Sequence, residues 1–298
     1  MHSLEEKEGA LTRGRQRGDA SPHFRIREAF TLVELLVVIA AVAILAGLLL
    51  PVLSGAKWRA HAIRCMSNER QLALAWHVYA DDHNGRLPRN FGIVETQDTV
   101  NNRTYLNWVN NVLSWELDSD NTNTALLFAG GIGPYLGAAT EVYRCPTDFV
   151  LSDRQRDAGW RSRVRSYSMN AMVGDAGEFT VGGTNVNNPH YRQFYSITEM
   201  PQPSDIFVFV EEHPHSLRDG YFLNNPYVSE WNDLPASYHN GAANLAFADG
   251  HVETHRWVDG STRHPARAYS VILPLALDKA TPRTDFKWLM QRTSTKLH

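Results

Sequence analysis

This sequence has few cysteines and a small net charge. Its 298 residues include two cysteines, Cys65 and Cys145, and the formal net charge at pH 7 is -3. Binding to nucleic acid relies on a basic surface that neutralises phosphates, so this balance favours no nucleic-acid partner. The sequence also lacks a phosphate-binding glycine loop, a paired-cysteine zinc motif and a Ser-His-Asp neighbourhood. It therefore shows none of these common signatures of nucleotide, zinc and hydrolase sites.

Charge is missing entirely from one long segment, residues 35–53. An uncharged apolar run of about 18 residues or more is typical of a membrane-spanning helix. At about 1.5 Å per residue, residues 30–53 cover roughly 36 Å, more than the roughly 30 Å of a bilayer's hydrocarbon core. We therefore expect a transmembrane helix over residues 30–53. The alternatives are a secretory signal cut after Ala43 and a plain uncleaved anchor.

Glu34 interrupts the apolar pattern near the start of this segment. An ionised carboxylate inside a membrane costs about 2.5 kcal/mol or more unless a partner offsets its charge, so Glu34 is a functional candidate. It belongs to the run Phe30-Thr31-Leu32-Val33-Glu34-Leu35. This run resembles the FTLxEL start of type IV prepilins and type II secretion pseudopilins. Neither a secretory signal nor a plain anchor explains the run and Glu34 together.

The resemblance implies a processing step and a set of partners. A membrane-embedded prepilin peptidase would cut between Ala29 and Phe30 and methylate the new amino terminus; the family usually has Gly where this chain has Ala29, which is also small. Glu34 would then pair with the free amine of Phe30 in a neighbouring pilin-like subunit. The implied location is the bacterial inner membrane, crossed once, with a cytoplasmic leader (residues 1–29), lipid around the helix and the remainder outside the cytoplasm.

Beyond the membrane segment the sequence keeps a helical period. Apolar residues recur mostly three, four or seven apart, at Leu53, Ala56, Ala60, Ile63, Cys65, Leu72 and Tyr79. We expect residues 54–82 to continue the helix outside the membrane and to pack one face against a globular domain, residues 83–298. The polar residues Arg59, Arg64, Asn68, Glu69 and Arg70 are expected elsewhere on the helix surface.

The globular part carries strand signals. β-branched and aromatic runs predict strands at residues 167–173 and 206–210, and residues 174–189 should form a loop. Residues 243–248 and 251–257 read as a hairpin with a two-residue Asp249-Gly250 turn, which places Leu245 on the same face as Val252. The expected fold class is α+β: a long N-terminal transmembrane helix continuing into a domain with an antiparallel β-sheet, which the resemblance implies is pilin-like.

Nine residues separate His239 from Asp249-Gly250. This spacing resembles the C-terminal H-x9-DG signature of the same prepilin-like family, and residues 65–88 and Cys145-Pro146 resemble that family too.

A group of polar residues around this signature invites a metal interpretation, because imidazole and carboxylate ligands two apart on a strand share a face. The group is His239, Asp249, His251, Glu253 and His255. The interpretation we favour is a hydrogen-bonded loop beside a solvated strand face. The run 211–215, Glu-Glu-His-Pro-His, likewise offers ligands or an acid-base pair but reads better as a strand end entering a loop. No cofactor is expected.

The two cysteines leave two states open. If the domain lies outside the cytoplasm, Cys65 and Cys145 can form one disulfide, worth up to about 4.5 kcal/mol in the chain-entropy model. Two buried free thiols are the alternative.

We expect a structural subunit of a type II secretion or type IV pilus-like filament, and not an enzyme. The alternative is a membrane-anchored extracytoplasmic polysaccharide-binding protein that uses the prepilin route for sorting. The eight Trp and eleven Tyr residues fit either a carbohydrate-binding surface or an ordinary core.

Overall fold

The structure, a computed structural model, describes residues 31–137, 139–277 and 283–297. The leader and the expected cleavage site between Ala29 and Phe30 lie outside these residues. The helices are α1 (Leu32–Asp82), α2 (Ile93–Asn101), α3 (Ala125–Phe128), α4 (Asp153–Asp157) and α5 (Thr284–Met290). The strands are β1 (Tyr167–Asn170), β2 (Thr180–Val181), β3 (Thr184–Asn185), β4 (Asn188–Arg192), β5 (Phe207–Glu211), β6 (Tyr221–Phe222), β7 (Glu230–Trp231), β8 (Ala242–Phe247), β9 (Val252–Arg256) and β10 (Leu275–Ala276).

The first of two compact units is Met1–Pro51, which contains the N-terminal part of α1. Within it Leu32–Leu50 has a mean hydropathy of 2.9 over 19 residues, and none of that stretch is buried. By length and composition this helix can cross a membrane. The core helix of a soluble protein has similar composition, but its side chains would be covered.

The second unit, Val52–His298, is built on a five-stranded sheet of order β6-β1-β5-β8-β9. Neighbouring strands are antiparallel except β6, which runs parallel to β1. The α+β class with an antiparallel-rich sheet is therefore confirmed. Two small sheets accompany it, β10-β7 and β2-β3-β4. The last of these occupies much of residues 174–189, where the sequence predicted a loop.

The main sheet carries a hydrophobic core on each face. Leu245 and Ala246 are adjacent on β8 and so point to opposite faces, and they belong to different clusters. Ala246 lies in the cluster that contains the second half of α1, through Cys65, Leu72 and Trp76. Leu245 lies in the cluster of α5, through Phe286 and Leu289.

The buried face of α1 differs from the predicted stripe. Burial begins at Cys65, whereas Ile63 is 66% exposed. Asn68 and Glu69, expected on the surface, are buried together with Leu72. Residues 65, 68, 69 and 72 share one side of a helix whatever their polarity. Asn68 is accommodated because its Nδ2 donates to the backbone carbonyls of Glu141 and Arg144, at 3.2 and 2.9 Å.

The β8–β9 hairpin is out of register with the prediction by one residue. Phe247 N donates to His251 O, and Gly250 N donates to Phe247 O, both at 2.9 Å, so the loop has three residues, 248–250. Gly250, at φ 90°, supplies the left-handed residue that such a loop needs. Leu245 therefore faces Glu253, and not Val252. A one-residue slip reverses every side chain.

Candidate functional site

Glu34 lies in the first turn of α1 and caps that helix. Its Oε2 accepts hydrogen bonds from the backbone N–H of Thr31, at 2.9 Å, and from the Thr31 hydroxyl, at 2.7 Å. The Thr31 hydroxyl in turn accepts from Glu34 N at 3.2 Å. This reciprocal arrangement is a capping box, which the Thr-x-x-Glu spacing encodes. Local sequence alone therefore fixes the carboxylate at the apolar helix's N-terminal end.

The capping box satisfies hydrogen bonds but leaves a charge. Both Thr31 donors are neutral and both reach the same oxygen of Glu34. The positive end of the helix dipole favours a carboxylate here by about 0.3–1 kcal/mol, less than an ionised group costs in a membrane. The prepilin resemblance assigns a pairing role toward Glu34 to the amine of Phe30, which lies outside the described residues.

The hairpin part of the H-x9-DG signature builds a turn. Asp249 Oδ1 accepts from His251 N at 3.1 Å and lies 2.6 Å from His251 Nδ1. The His251 ring stacks on Phe247 with a centroid distance of 4.4 Å. His255, farther along β9, stacks on Trp288 at 3.6 Å. These contacts hold the turn and the edge strand against the domain.

His239 lies elsewhere, in a buried cluster. Asn240 and Gly241, at φ 56° and 81°, make a tight turn in which His239 N donates to Ala242 O at 3.2 Å. That turn places His239 Nε2 2.8 Å from Glu211 Oε1. The same nitrogen lies 3.7 Å from Cys145 Sγ.

The cluster joins α1 to the sheet. Cys65 on α1 is disulfide-bonded to Cys145, with the two Cα atoms 5.3 Å apart. Glu211, the last residue of β5, also accepts from Asn244 N at 2.8 Å through Oε2. The donor atoms of Cys65, Cys145, Glu211 and His239 all lie within 4.8 Å of one another, and all four residues are buried. Across the described parts of the chain this is the one group of three or more His, Cys, Asp or Glu donors that is so compact, so the hairpin residues form no such group.

Glu69 adds an unusual feature to this cluster. It is fully buried on α1, and within the described structure neither carboxylate oxygen has a hydrogen-bond partner. Burial, and secondarily the charge of Glu211, raise the pKa of Glu69 well above its usual value. His239 Nδ1 is also buried without a described partner. Polar groups in this condition are rare in folded proteins and call for an explanation.

The rest of the run 211–215 is divided among different surroundings. Glu212 is buried and accepts from the Ser168 hydroxyl; burial raises the pKa of Glu212 to about 7. His213 Nε2 lies 3.1 Å from Pro265 O, and His213 Nδ1 accepts from His215 N at 3.2 Å. Burial lowers the pKa of His213 to about 4. Because Nδ1 must accept and Nε2 must donate, the geometry fits a neutral imidazole.

His215 lines a surface cavity of about 530 Å³. The Arg163 guanidinium lies 4.3 Å from the ring centroid of Trp115, which also borders the cavity. Tyr269 is exposed, and its ring lies 5.7 Å from that of Trp115. A cavity of this size with an aromatic wall can accommodate a small ligand or a sugar unit.

Sequence reasoning missed that Glu211 lies beside His239 and that Glu69 is buried near Glu211. The Asn240-Gly241 pair was the available signal for the turn that positions His239, since Asn-Gly is a strong turn sequence. Comparison of the chain with protein-family models, with curated proteins and with solved structures gave no match.

Proposed function

We propose that this chain is a prepilin-like structural subunit of a type II secretion or type IV pilus-like filament. The observation that carries the proposal is a carboxylate, Glu34, held in the first turn of an apolar helix whose Leu32–Leu50 stretch has no buried residue. An apolar stretch without buried residues is suited to lipid and to the helices of other subunits.

The charge of Glu34 supports association through the helix termini. Once processing frees the Phe30 amine, each subunit carries one cation and one anion within about a helical turn of each other along the chain. Neighbouring subunits can then satisfy both groups reciprocally. Loss of one member of a desolvated pair costs about 3–5 kcal/mol. A pair between the Phe30 amine of one subunit and Glu34 of the next would fix the position of each subunit relative to its neighbour. It would therefore favour a regular array of subunits over non-specific lateral contact.

Processing and location follow from the same proposal. A prepilin peptidase cuts between Ala29 and Phe30 and methylates Phe30, the leader stays in the cytoplasm, and the α+β domain lies on the opposite side of the bacterial inner membrane. The proposal includes a pilin-like role for that domain, which packs the second half of α1 against a sheet.

Crosslinking inside the membrane tests the filament directly. A photoreactive residue replaces Val37, which is exposed in α1, and a matched chain carries it at Val181, exposed on β2. Irradiation of native membranes should give a ladder of dimers and higher oligomers from position 37. Monomers with only lipid adducts at position 37 would contradict the proposal.

A second candidate function is polysaccharide binding by a membrane-anchored domain. The cavity bordered by Trp115 and His215 favours it, because aromatic faces pack against sugar rings. Titration of the protein with oligosaccharides, followed by tryptophan fluorescence, would show saturable binding that Trp115→Ala abolishes. The filament proposal expects Trp115→Ala to leave crosslinked ladders unchanged.

A further inference from the structure

The buried cluster under α1 has the composition of a structural metal site. Two sulfurs, one imidazole nitrogen and one carboxylate oxygen, from Cys65, Cys145, His239 and Glu211, lie within 4.8 Å of one another. Zinc sites use these ligand types in closed four-coordinate shells. Sulfur and imidazole ligands favour zinc over calcium or magnesium, which prefer oxygen.

Reduction must first let the two sulfurs, which are bonded to each other here, separate to the roughly 3.8 Å of a tetrahedral edge. The other ligand distances suit a tetrahedral ion after a small adjustment. With Zn–S of about 2.3 Å and Zn–N or Zn–O of about 2.0–2.2 Å, tetrahedral edges are about 3.5 Å for sulfur to nitrogen and about 3.3 Å for nitrogen to oxygen. The Cys145 Sγ to His239 Nε2 distance is 3.7 Å. His239 Nε2 and Glu211 Oε1, at 2.8 Å, need to separate by only about 0.5 Å.

A second observation points to an incomplete polar site. Glu69 is completely buried beside this cluster with both carboxylate oxygens unpartnered, and no ion pair of the described residues includes it. Among the described residues the ion pair of Glu211 is with His239 alone. Burial favours the protonated form of Glu69, but its two oxygens still lack hydrogen-bond partners beside Glu211, a condition that is rare in folded proteins and that ordinary packing does not explain.

We propose that Cys65, Cys145, Glu211 and His239 bind one Zn²⁺ when the Cys65–Cys145 disulfide is reduced. The disulfide and the zinc site are two alternative crosslinks between the same elements. Each ties α1 to the loop that carries Cys145, and the zinc form adds the end of β5 and the turn before β8. The inference does not depend on filament assembly.

The redox step needs an external reductant. A phosphine gives two electrons to the disulfide and becomes a phosphine oxide; one water molecule supplies the oxide oxygen and the two protons that convert the sulfurs to thiols. Zn²⁺ then displaces those two protons. His239 binds through Nε2 as a neutral imidazole, with its own proton moved to Nδ1, so binding releases two protons in total.

The test uses the full chain in detergent, reduced with a phosphine under argon, and Co²⁺ alone as the spectroscopic probe. The reduced chain should bind one Co²⁺, with a sulfur-to-cobalt charge-transfer band and the strong visible bands of a tetrahedral ion. Zn²⁺ should displace it and protect both thiols from a thiol reagent. The oxidised chain should give none of these signals.

Matched variants separate ligands from neighbours. His239→Asn and Cys145→Ser should weaken Co²⁺ binding by at least about 100-fold, beyond the loss typical of residues that only support a ligand. His251→Asn, at another histidine of the H-x9-DG region, should bind like the parent.

Three results would overturn the proposal. The first is a reduced chain that stays folded by circular dichroism and binds no Co²⁺. The second is a reduced chain that unfolds even with Zn²⁺ present. The third is equal loss of binding in His251→Asn and His239→Asn.

Discussion

Glu34 contributes a helix cap and a negative charge, and substitutions can separate these two effects. Glu34→Gln keeps a side chain that can complete the capping box, since Gln serves in that position as Glu does, but it removes the charge. Thr31→Ala removes the hydroxyl half of the cap and keeps the charge. Glu34→Ala removes the charge and the carboxylate half of the cap, and it leaves the Thr31 hydroxyl free to accept from the backbone N–H of residue 34. The three variants together distinguish a local helix start from a contact between subunits.

The magnitudes differ enough to decide between the two roles. Loss of an N-cap costs about 0.5–2 kcal/mol. Loss of the carboxylate that offsets a buried amine costs about 3–5 kcal/mol, which corresponds to roughly 100-fold to several-thousand-fold weaker association. We therefore expect Glu34→Gln and Glu34→Ala to lose most assembly. Thr31→Ala should lose at most about 30-fold in association.

The assay is the yield of crosslinked oligomers from native membranes at equal amounts of processed protein. Membrane insertion should be unchanged or improved in both Glu34 variants, because an apolar helix loses a charge. Cleavage should persist, since the cut bond lies about one helical turn before Glu34. If Glu34→Gln assembles like the parent while Thr31→Ala fails, the carboxylate serves only the helix cap, and the amine pairing is wrong.

Three further predictions concern the domain. Leu72→Ala, in the core, should lower the free energy of unfolding by about 2–5 kcal/mol in denaturant titrations, whereas Leu74→Ala, 63% exposed on the same helix, should change it by no more than about 0.5 kcal/mol. His213 takes up a proton more readily in the unfolded chain, because burial lowers its native pKa to about 4 from an ordinary 6.5. The buried Glu212, with its pKa raised to about 7, acts in the opposite direction over the same range. In thermal unfolding the parent should therefore lose up to about 3 kcal/mol more stability than His213→Gln as pH drops from about 6.5 to 4. With a chelator present, Cys65→Ser/Cys145→Ser should be less stable than the oxidised parent by up to about 4.5 kcal/mol, because the bond closes a loop with a sequence separation of 80.

Local sequence was sufficient for the elements that depend on local physics. The uncharged run predicted the first part of α1. The helical period of the residues that follow it predicted an end near Asp82, which is the last residue of the helix. The β-branched run at 206–210 predicted a strand, observed one residue later as Phe207–Glu211. In each case apolar pattern and backbone preference point to the same element.

Elements that depend on a single extra residue were misplaced. The hairpin turn holds three residues and not two, and in it Gly250 alone takes the left-handed conformation. The prediction therefore placed Val252 on the same face as Leu245, whereas Glu253 is the residue opposite Leu245. An Asp-Gly pair is compatible with both loop lengths, and only the packing of both faces of β8 selects one.

The buried cluster lay beyond prediction for a different reason. Cys145 and His239 are 94 residues apart in sequence, and Glu69 looked like one more surface charge among arginines. Their proximity is created by the pairing of β5 with β1 and β8, and by α1 packing on that sheet. The two cysteines were recognisable as a pair, but the carboxylates beside them were not.

The measurement that tests the central proposal most directly is mass spectrometry of the mature amino terminus in protein purified from bacterial membranes. The account predicts a first peptide that begins with Phe30 followed by Thr31 and that carries one added methyl group on the Phe30 nitrogen. An intact Met1 terminus, or a terminus created by a cut after Ala43, would contradict it.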